Sequence, residues 1–346
     1  MQVVVLITAI GCSAPALPAD LADAERYVRR GQYDLALASY LAAQQSCRNI
    51  KSRRQRRSTC SSAHLGHAEL LVDQGKRREA AELYESLPPI LADDPPAAAQ
   101  ATYRAGQLFL AVGDDERAYT LLWKTVTDFP AEAFAADALR IVLRDGRQRD
   151  PRQLFEVLGK LAVAMRETQV ADNILYALAD LAENEFRDQA AARAFYDQLA
   201  TDYPQSGLVD ESLWHGARLA RLTGDPKGAA VRLRRLLATR EVAYGAGSYF
   251  SVWLDNAQLE LGRVLRDDLG DYQAALAAFR RLPRDYPASV LRDDAMFERA
   301  VTWNAIGRRD RACNALSTLQ NKWPDSKYEL EKAPALRREL GCLAPE

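Results

Sequence analysis

The chain has 346 residues, with 46 basic and 47 acidic side chains and a formal net charge of −1. That balance excludes whole-molecule attraction to nucleic acid, and no apolar run reaches the ~18–20 residues that a membrane-spanning helix requires. Ala, Leu, Arg and Glu are abundant, residues that keep a helix at little entropic cost. Val/Ile/Thr-rich runs of the kind strands need are missing beyond the first ten residues, so an all-α chain is expected.

Val3 to Ile10 is an apolar run, followed by Gly11-Cys12-Ser13. The string Ala9-Ile10-Gly11-Cys12 resembles a bacterial lipoprotein signal. The resemblance implies that residues 1–11 are a signal segment, that Cys12 becomes the lipidated first residue, and that residues 12–19 form a short tether. Two departures stand against the pattern: Ala9 replaces the usual Leu, and no Lys or Arg precedes the run. A start assigned too late would account for both. Ser13 after the cysteine points, in that family, to the outer membrane with the chain facing the periplasm. Several acyl chains would anchor it firmly, since one alone holds only marginally. With Cys12 set aside, Cys47, Cys60, Cys313 and Cys342 remain, and an even remainder in an exported protein suggests disulfides. Cys47–Cys60 and Cys313–Cys342 are the expected pairs, each closing a short loop and stabilising by about 2–4 kcal/mol.

From residue 20 to 327 one pattern recurs. Gly31, Gly75, Gly113, Gly224, Gly270 and Gly307 each separate two apolar-periodic stretches. Five residues after each comes Ala (Ala36, Ala80, Ala118, Ala229, Ala275, Ala312), and nine after comes a large apolar residue (Tyr40, Tyr84, Leu122, Leu233, Phe279, Leu316). Seven before comes a small one (Ala24, Ala68, Gly106, Ala217, Ala300), while Gly262 fills that role before Gly270 with one residue extra. Glycine tolerates the left-handed backbone that reverses the chain, and small residues let paired helices approach. A lone pair cannot bury its apolar stripe, so the pairs must stack.

This pattern resembles the tetratricopeptide repeat. Phe129-Pro130, Tyr203-Pro204, Tyr286-Pro287 and Trp323-Pro324 end several units, and Ser206, Ser289 and Ser326 follow in three. That ending is typical of the envelope branch of the superfamily, which includes the lipoprotein of the outer-membrane β-barrel assembly machinery and the periplasmic coordinator of Tol-Pal. The resemblance implies a right-handed superhelical solenoid of about eight units over residues 20–327, with a capping helix and tail at 328–346. Two units are degenerate: one keeps Gly146 but carries Pro151, and the next has Arg187 in place of Gly.

The segment 47–60 reads as a basic insertion between units. It holds Arg48, Lys51, Arg53, Arg54, Arg56 and Arg57 and no acid, which suits contact with anionic headgroups, lipopolysaccharide or an acidic partner, or a plain solvated loop. Cys60, His64 and His67 share one helical face and, with Cys47 nearby in sequence, form an alternative zinc set, although the spacing is not that of a standard finger. His215 stands alone, and no nucleophile elbow, phosphate-cradling loop or HExxH run is present, so neither catalysis nor a cofactor is expected. The resemblance places a ligand groove on the first helix of each unit. Carried over, its residues are Tyr103, Gln107, Trp214, Arg218, Arg221, Arg263, Arg266, Phe297 and Asn304, where aromatic and Arg side chains suit a peptide or a carboxylate. The expected function is a scaffold that organises envelope proteins, in outer-membrane assembly or envelope integrity. The alternatives are a subunit of a secretion or motility apparatus, or an accessory subunit that recruits or regulates a peptidoglycan-cleaving enzyme.

Overall fold

The computed structural model describes residues 19–246 and 251–342, and every regular element among them is helical. Residues 1–11 and Cys12 lie outside the described residues. The chain divides into two compact units. The first, ending at Asp150 and including Glu167–Val170, holds α1 (Ala19–Arg29), α2 (Tyr33–Ser46), α3 (Arg53–Asp73), α4 (Arg77–Ser86), α5 (Pro95–Ala111), α6 (Asp115–Asp128) and α7 (Ala133–Arg149). The second holds α8 (Pro151–Ala164), α9 (Ala171–Asn184), α10 (Gln189–Asp202), α11 (Val209–Leu222), α12 (Pro226–Ala246), α13 (Leu254–Arg263), α14 (Tyr272–Asp285), α15 (Arg292–Ala305), α16 (Arg309–Lys322) and α17 (Ala333–Leu340).

The recurring glycines make the turns. All six have φ between 66° and 79°. At most of them the next N–H bonds the carbonyl five residues back, as from Gln32 to Tyr27, Asp114 to Phe109 and Arg308 to Trp303, each at 2.9 Å. These bonds satisfy carbonyls that a helix end otherwise leaves open. Each Ala five residues on is fully buried, and so are Leu122, Leu233, Phe279 and Leu316. The close approach is literal at Gly262, where an added Cβ would stand 2.3 Å from the Phe279 ring.

The three irregular units have physical explanations. Arg187 adopts φ 57°, the one positive value on a non-glycine among the described residues. Here the repeat geometry overrides residue preference. The extra residue before Gly270 is absorbed by a single π turn, Val264–Asp268, which follows α13 directly. One inserted residue in a helix gives this result when its flanks are held in register. Gly146, by contrast, is no turn glycine: it lies inside α7, and the chain breaks instead at Asp150-Pro151.

The aromatic-Pro-x-Ser endings act as staples. Ser206 donates to Asp172 at 2.5 Å, Ser289 to Asp255 at 2.7 Å and Ser326 to Asp293 at 2.6 Å. Each hydroxyl also accepts the N–H two residues on, at Leu208, Leu291 and Tyr328. The Asp in each case opens the first helix of the preceding pair, so one hydroxyl ties a turn to its neighbour. Ser251 repeats the device with Asp210 although no aromatic-Pro precedes it.

Segment 47–60 is not a loop. Cys47–Asn49 is a 3₁₀ turn, and from Arg53 the residues form the first turns of α3, where Ser52 caps the Gln55 N–H. A buried face of Thr59, Ser61 and Ala63 pulls this stretch into the helix despite its charge. At the other end a π turn, Tyr328–Lys332, leads into α17, which Gly341 closes at φ 57°.

Candidate partner-binding face

Seven of the nine expected groove residues lie in the second unit, on α11, α13, α15 and the π turn after α13. Their arginines are not free. Arg218 pairs with Glu183 of α9. Arg221 reaches Glu260 at 2.6 Å and Asp268 at 2.7 Å. Arg263 holds Glu298 at 2.8 Å, and Arg266 holds it at 2.5 Å while meeting Asp267 at 2.6 Å. Glu183 and Glu298 are buried, so these carboxylates need their cations. Many such pairs join positions one repeat apart: Arg263–Glu298, Arg104–Glu69 and Arg232–Asp197 are all 35 residues apart. That constant offset is the signal through which sequence reading could have found them.

Aromatic rings fill the rest of the face. Trp214 stacks on Trp253 with centroids 5.3 Å apart, and Phe297 packs on Tyr328 at 5.0 Å. Tyr328 also accepts from Arg263 at 3.3 Å. Burial and its bond to Asp294 push its phenol up to about 12. Asn304 donates to Glu339 at 3.3 Å, tying α15 to α17. His215 does not stand alone. Its ring stacks on Tyr196 at 5.2 Å and meets Trp253 edge-on, and Nδ1 lies 3.3 Å from Glu183. Burial holds this imidazole below its ordinary pKa, against the pull of Glu211.

Tyr103 and Gln107 sit on α5 in the first unit. Gln107 donates to the Tyr103 hydroxyl at 2.8 Å, and Tyr103 faces Phe134 at 5.5 Å. Beside them Arg104 forks onto Glu69, which also accepts from Tyr84 at 2.7 Å. This network, too, was not anticipated.

The cysteines form Cys47–Cys60, with Cα atoms 5.3 Å apart, and Cys313–Cys342, at 5.5 Å. The first bond consumes both thiolates of the alternative zinc set. His64 and His67 are half-buried, and His67 lies 3.5 Å from Gln44 Nε2. That zinc reading is therefore withdrawn: a disulfide sulfur lacks the thiolate charge that binds the metal.

Residues 158–206, 256–289 and 294–326 match the tetratricopeptide repeat family. These segments are tetratricopeptide repeats within an all-α repeat fold, and that fold is one of protein–protein interaction. Similar solved structures include PilW, described as a widely conserved type IV pilus biogenesis factor. It is 15% identical over 78% of this chain and 96% of its own, with TM-score 0.37. YrrB, described as a repeat protein with an unusual peptide-binding site, is 14% identical over 71% and 97%, with TM-score 0.37. The C-terminal part of a repeat protein from Cytophaga hutchinsonii is 14% identical over 80% and 98%, with TM-score 0.43. Comparison with curated protein sequences gives no match.

Proposed function

We propose that the chain is a non-catalytic scaffold that takes an extended segment of a partner protein along the first-helix face of its second unit. It does so as an acyl-anchored lipoprotein on the periplasmic side of a bacterial outer membrane. One observation carries the binding reading: the half-buried ring pairs Trp214–Trp253 and Phe297–Tyr328 flank a row of arginines already neutralised by carboxylates. Such a face grips apolar anchors and backbone amides, and aromatic residues set among satisfied polar groups are the usual hot spots. The anchor is supported by the Ala9-Ile10-Gly11-Cys12 string and by the two disulfides, which suit an oxidising compartment.

The test is site-specific photocrosslinking in cells. A photoreactive residue at Trp214 or Phe297 should capture envelope proteins, whereas one at the exposed Val231 of α12 should not. Equal capture from all three positions, or none from the first two, refutes the face. The captured proteins then distinguish barrel assembly, secretion or motility, and peptidoglycan cleavage. Separately, Cys12→Ala should release the chain from membranes, and an unchanged membrane fraction refutes the anchor.

A further inference from the structure

The first unit carries a cavity of about 300 Å³, and four of its ten lining residues are arginines. Arg48 enters it from the 3₁₀ turn and Arg53, Arg56 and Arg57 from the first turns of α3, while Asp93 and Asp94 come from the connection between α4 and α5. Ile90 and Leu91 supply an apolar part of the lining.

This charge breaks a local rule. A helix N-terminus carries partial positive charge and favours acids, yet the first turn of α3 contains none and its first two turns carry four arginines. The carboxylates present do not offset them. Arg53 meets Asp93 at 3.9 Å with both side chains mostly in solvent, a pair of negligible strength. Asp94 is 4.0 Å from Arg57 and is already engaged by the Ser61 hydroxyl at 2.6 Å. Among the described residues neither Arg48 nor Arg56 has an ion pair. The Cys47–Cys60 bond fixes the turn that bears Arg48 against α3, so the backbone positions that carry the arginines are held together before any ligand arrives. A cluster that keeps like charges together against both repulsion and the helix field is the kind of local conflict that folds retain at functional sites.

We propose that this cavity binds a phosphate group, carried either by a soluble ligand or by a lipid headgroup. Its tetrahedral oxygens can take several guanidinium forks at once, and its charge of about −1.5 to −2 balances the excess of four arginines over two aspartates. The N–H groups of Arg53 and Arg54, which have no acceptor within α3, add donors at this end of the helix. The site belongs to the first unit, whereas the proposed partner-binding face belongs to the second.

The experiment uses the full chain with its disulfides intact. Inorganic phosphate is titrated by calorimetry. Binding is also measured to phosphatidylcholine vesicles made anionic with phosphatidic acid, or to the same surface charge with a fatty acid. Arg48→Gln and Arg56→Gln remove cavity cations, and Arg54→Gln removes the same charge without lining the cavity. The first two should each weaken phosphate or phosphatidic acid binding about tenfold or more, while Arg54→Gln changes it about twofold at most. Saturable phosphate binding without added vesicle binding indicates a soluble ligand. Preference for phosphatidic acid over fatty-acid vesicles indicates a headgroup. The proposal is overturned if neither probe binds saturably, if Arg54→Gln weakens binding as much as Arg48→Gln, or if inorganic phosphate fails to bind and fatty-acid vesicles bind as well as those with phosphatidic acid. Arg48→Lys provides a second variant with the charge kept: it should retain vesicle attraction but lose part of the phosphate affinity, and full retention of both also overturns the site.

Discussion

Replacing Glu298 by Gln tests whether the arginine rows hold the second unit together. Glu298 is 7% exposed and takes Arg263 at 2.8 Å and Arg266 at 2.5 Å. Removing the acid from a buried ion pair typically costs about 3–5 kcal/mol, because the remaining charge is left uncompensated. Two features lower that figure here. Arg266 keeps Asp267 at 2.6 Å, and Arg263 keeps Glu260 and Asp294 at 3.8 and 3.9 Å. The amide oxygen of Gln also retains one acceptor. A loss of about 2 kcal/mol is therefore expected, below the range for a fully uncompensated buried charge. Urea unfolding, with hydrogen exchange read on α13 and α15, measures it. Glu25→Gln is the control, because the Arg29–Glu25 pair is exposed on both sides and should cost about 0.5 kcal/mol or less. If Glu298→Gln costs no more than Glu25→Gln, or if α13 and α15 exchange at unchanged rates, the arginines are not structural.

Arg187→Gly should stabilise by roughly 0.5 kcal/mol, since relief of the left-handed backbone exceeds the entropy that Gly adds to the unfolded chain. A lower urea midpoint would contradict this. Gly262→Ala should cost about 1–3 kcal/mol by driving a methyl into the buried Phe279 ring, whereas Gly159→Ala in α8 meets open space and should gain about 0.5–1 kcal/mol. The two thermal melts must shift in opposite directions. The pH dependence has a definite sign. Burial, joined at His64 by the charges of Arg48 and His67, holds His64, His67 and His215 below their ordinary pKa. Below about pH 6.5 the unfolded chain then binds protons that the folded chain does not. Stability should be full above that pH and fall as acid is added, so the urea midpoint at pH 5.5 should lie below that at pH 7, less so in His67→Gln. An equal or higher midpoint at pH 5.5 would refute it.

Much of the fold could be read from the sequence because its turns restrict residue type. A left-handed backbone selects Gly, a helix crossing selects Ala or Gly, and the residue that fills the groove must be large, so three spacings sufficed to set the register. The one-residue excess before Gly270 was visible, and the π turn is its physical form. Arg187 shows the limit, since its backbone follows the repeat while its side chain hides it. The basic segment was misread because six cations mask the buried Thr59, Ser61 and Ala63 face. At the site, residue types and positions were legible but their charge state as a surface was not. Whether Arg221 or Arg263 is free depends on carboxylates one repeat away, and nothing local to the arginine reports them.

That pairing changes how a partner should be held, and salt separates the possibilities. A groove of free arginines would bind acidic segments, and its affinity would fall steeply with ionic strength as exposed charges are screened beyond about 8–10 Å. Here the guanidiniums of Arg218, Arg221, Arg263 and Arg266 already face carboxylates, two of which are buried and so poorly screened. Affinity must come from the rings of Trp214, Trp253, Phe297 and Tyr328, whose contribution is burial of apolar area and depends little on salt. Trp214→Ala should thus weaken a captured partner by about 2 kcal/mol or more, as at other aromatic hot spots, and the affinity of the unaltered chain should change little between low and physiological salt. The arginine cavity of the first unit should behave oppositely, losing phosphate as salt rises. A partner at the second unit that dissociates as steeply as phosphate does from the first would mean that the carboxylates yield to the ligand. The arginines, and not the rings, would then be the recognition element.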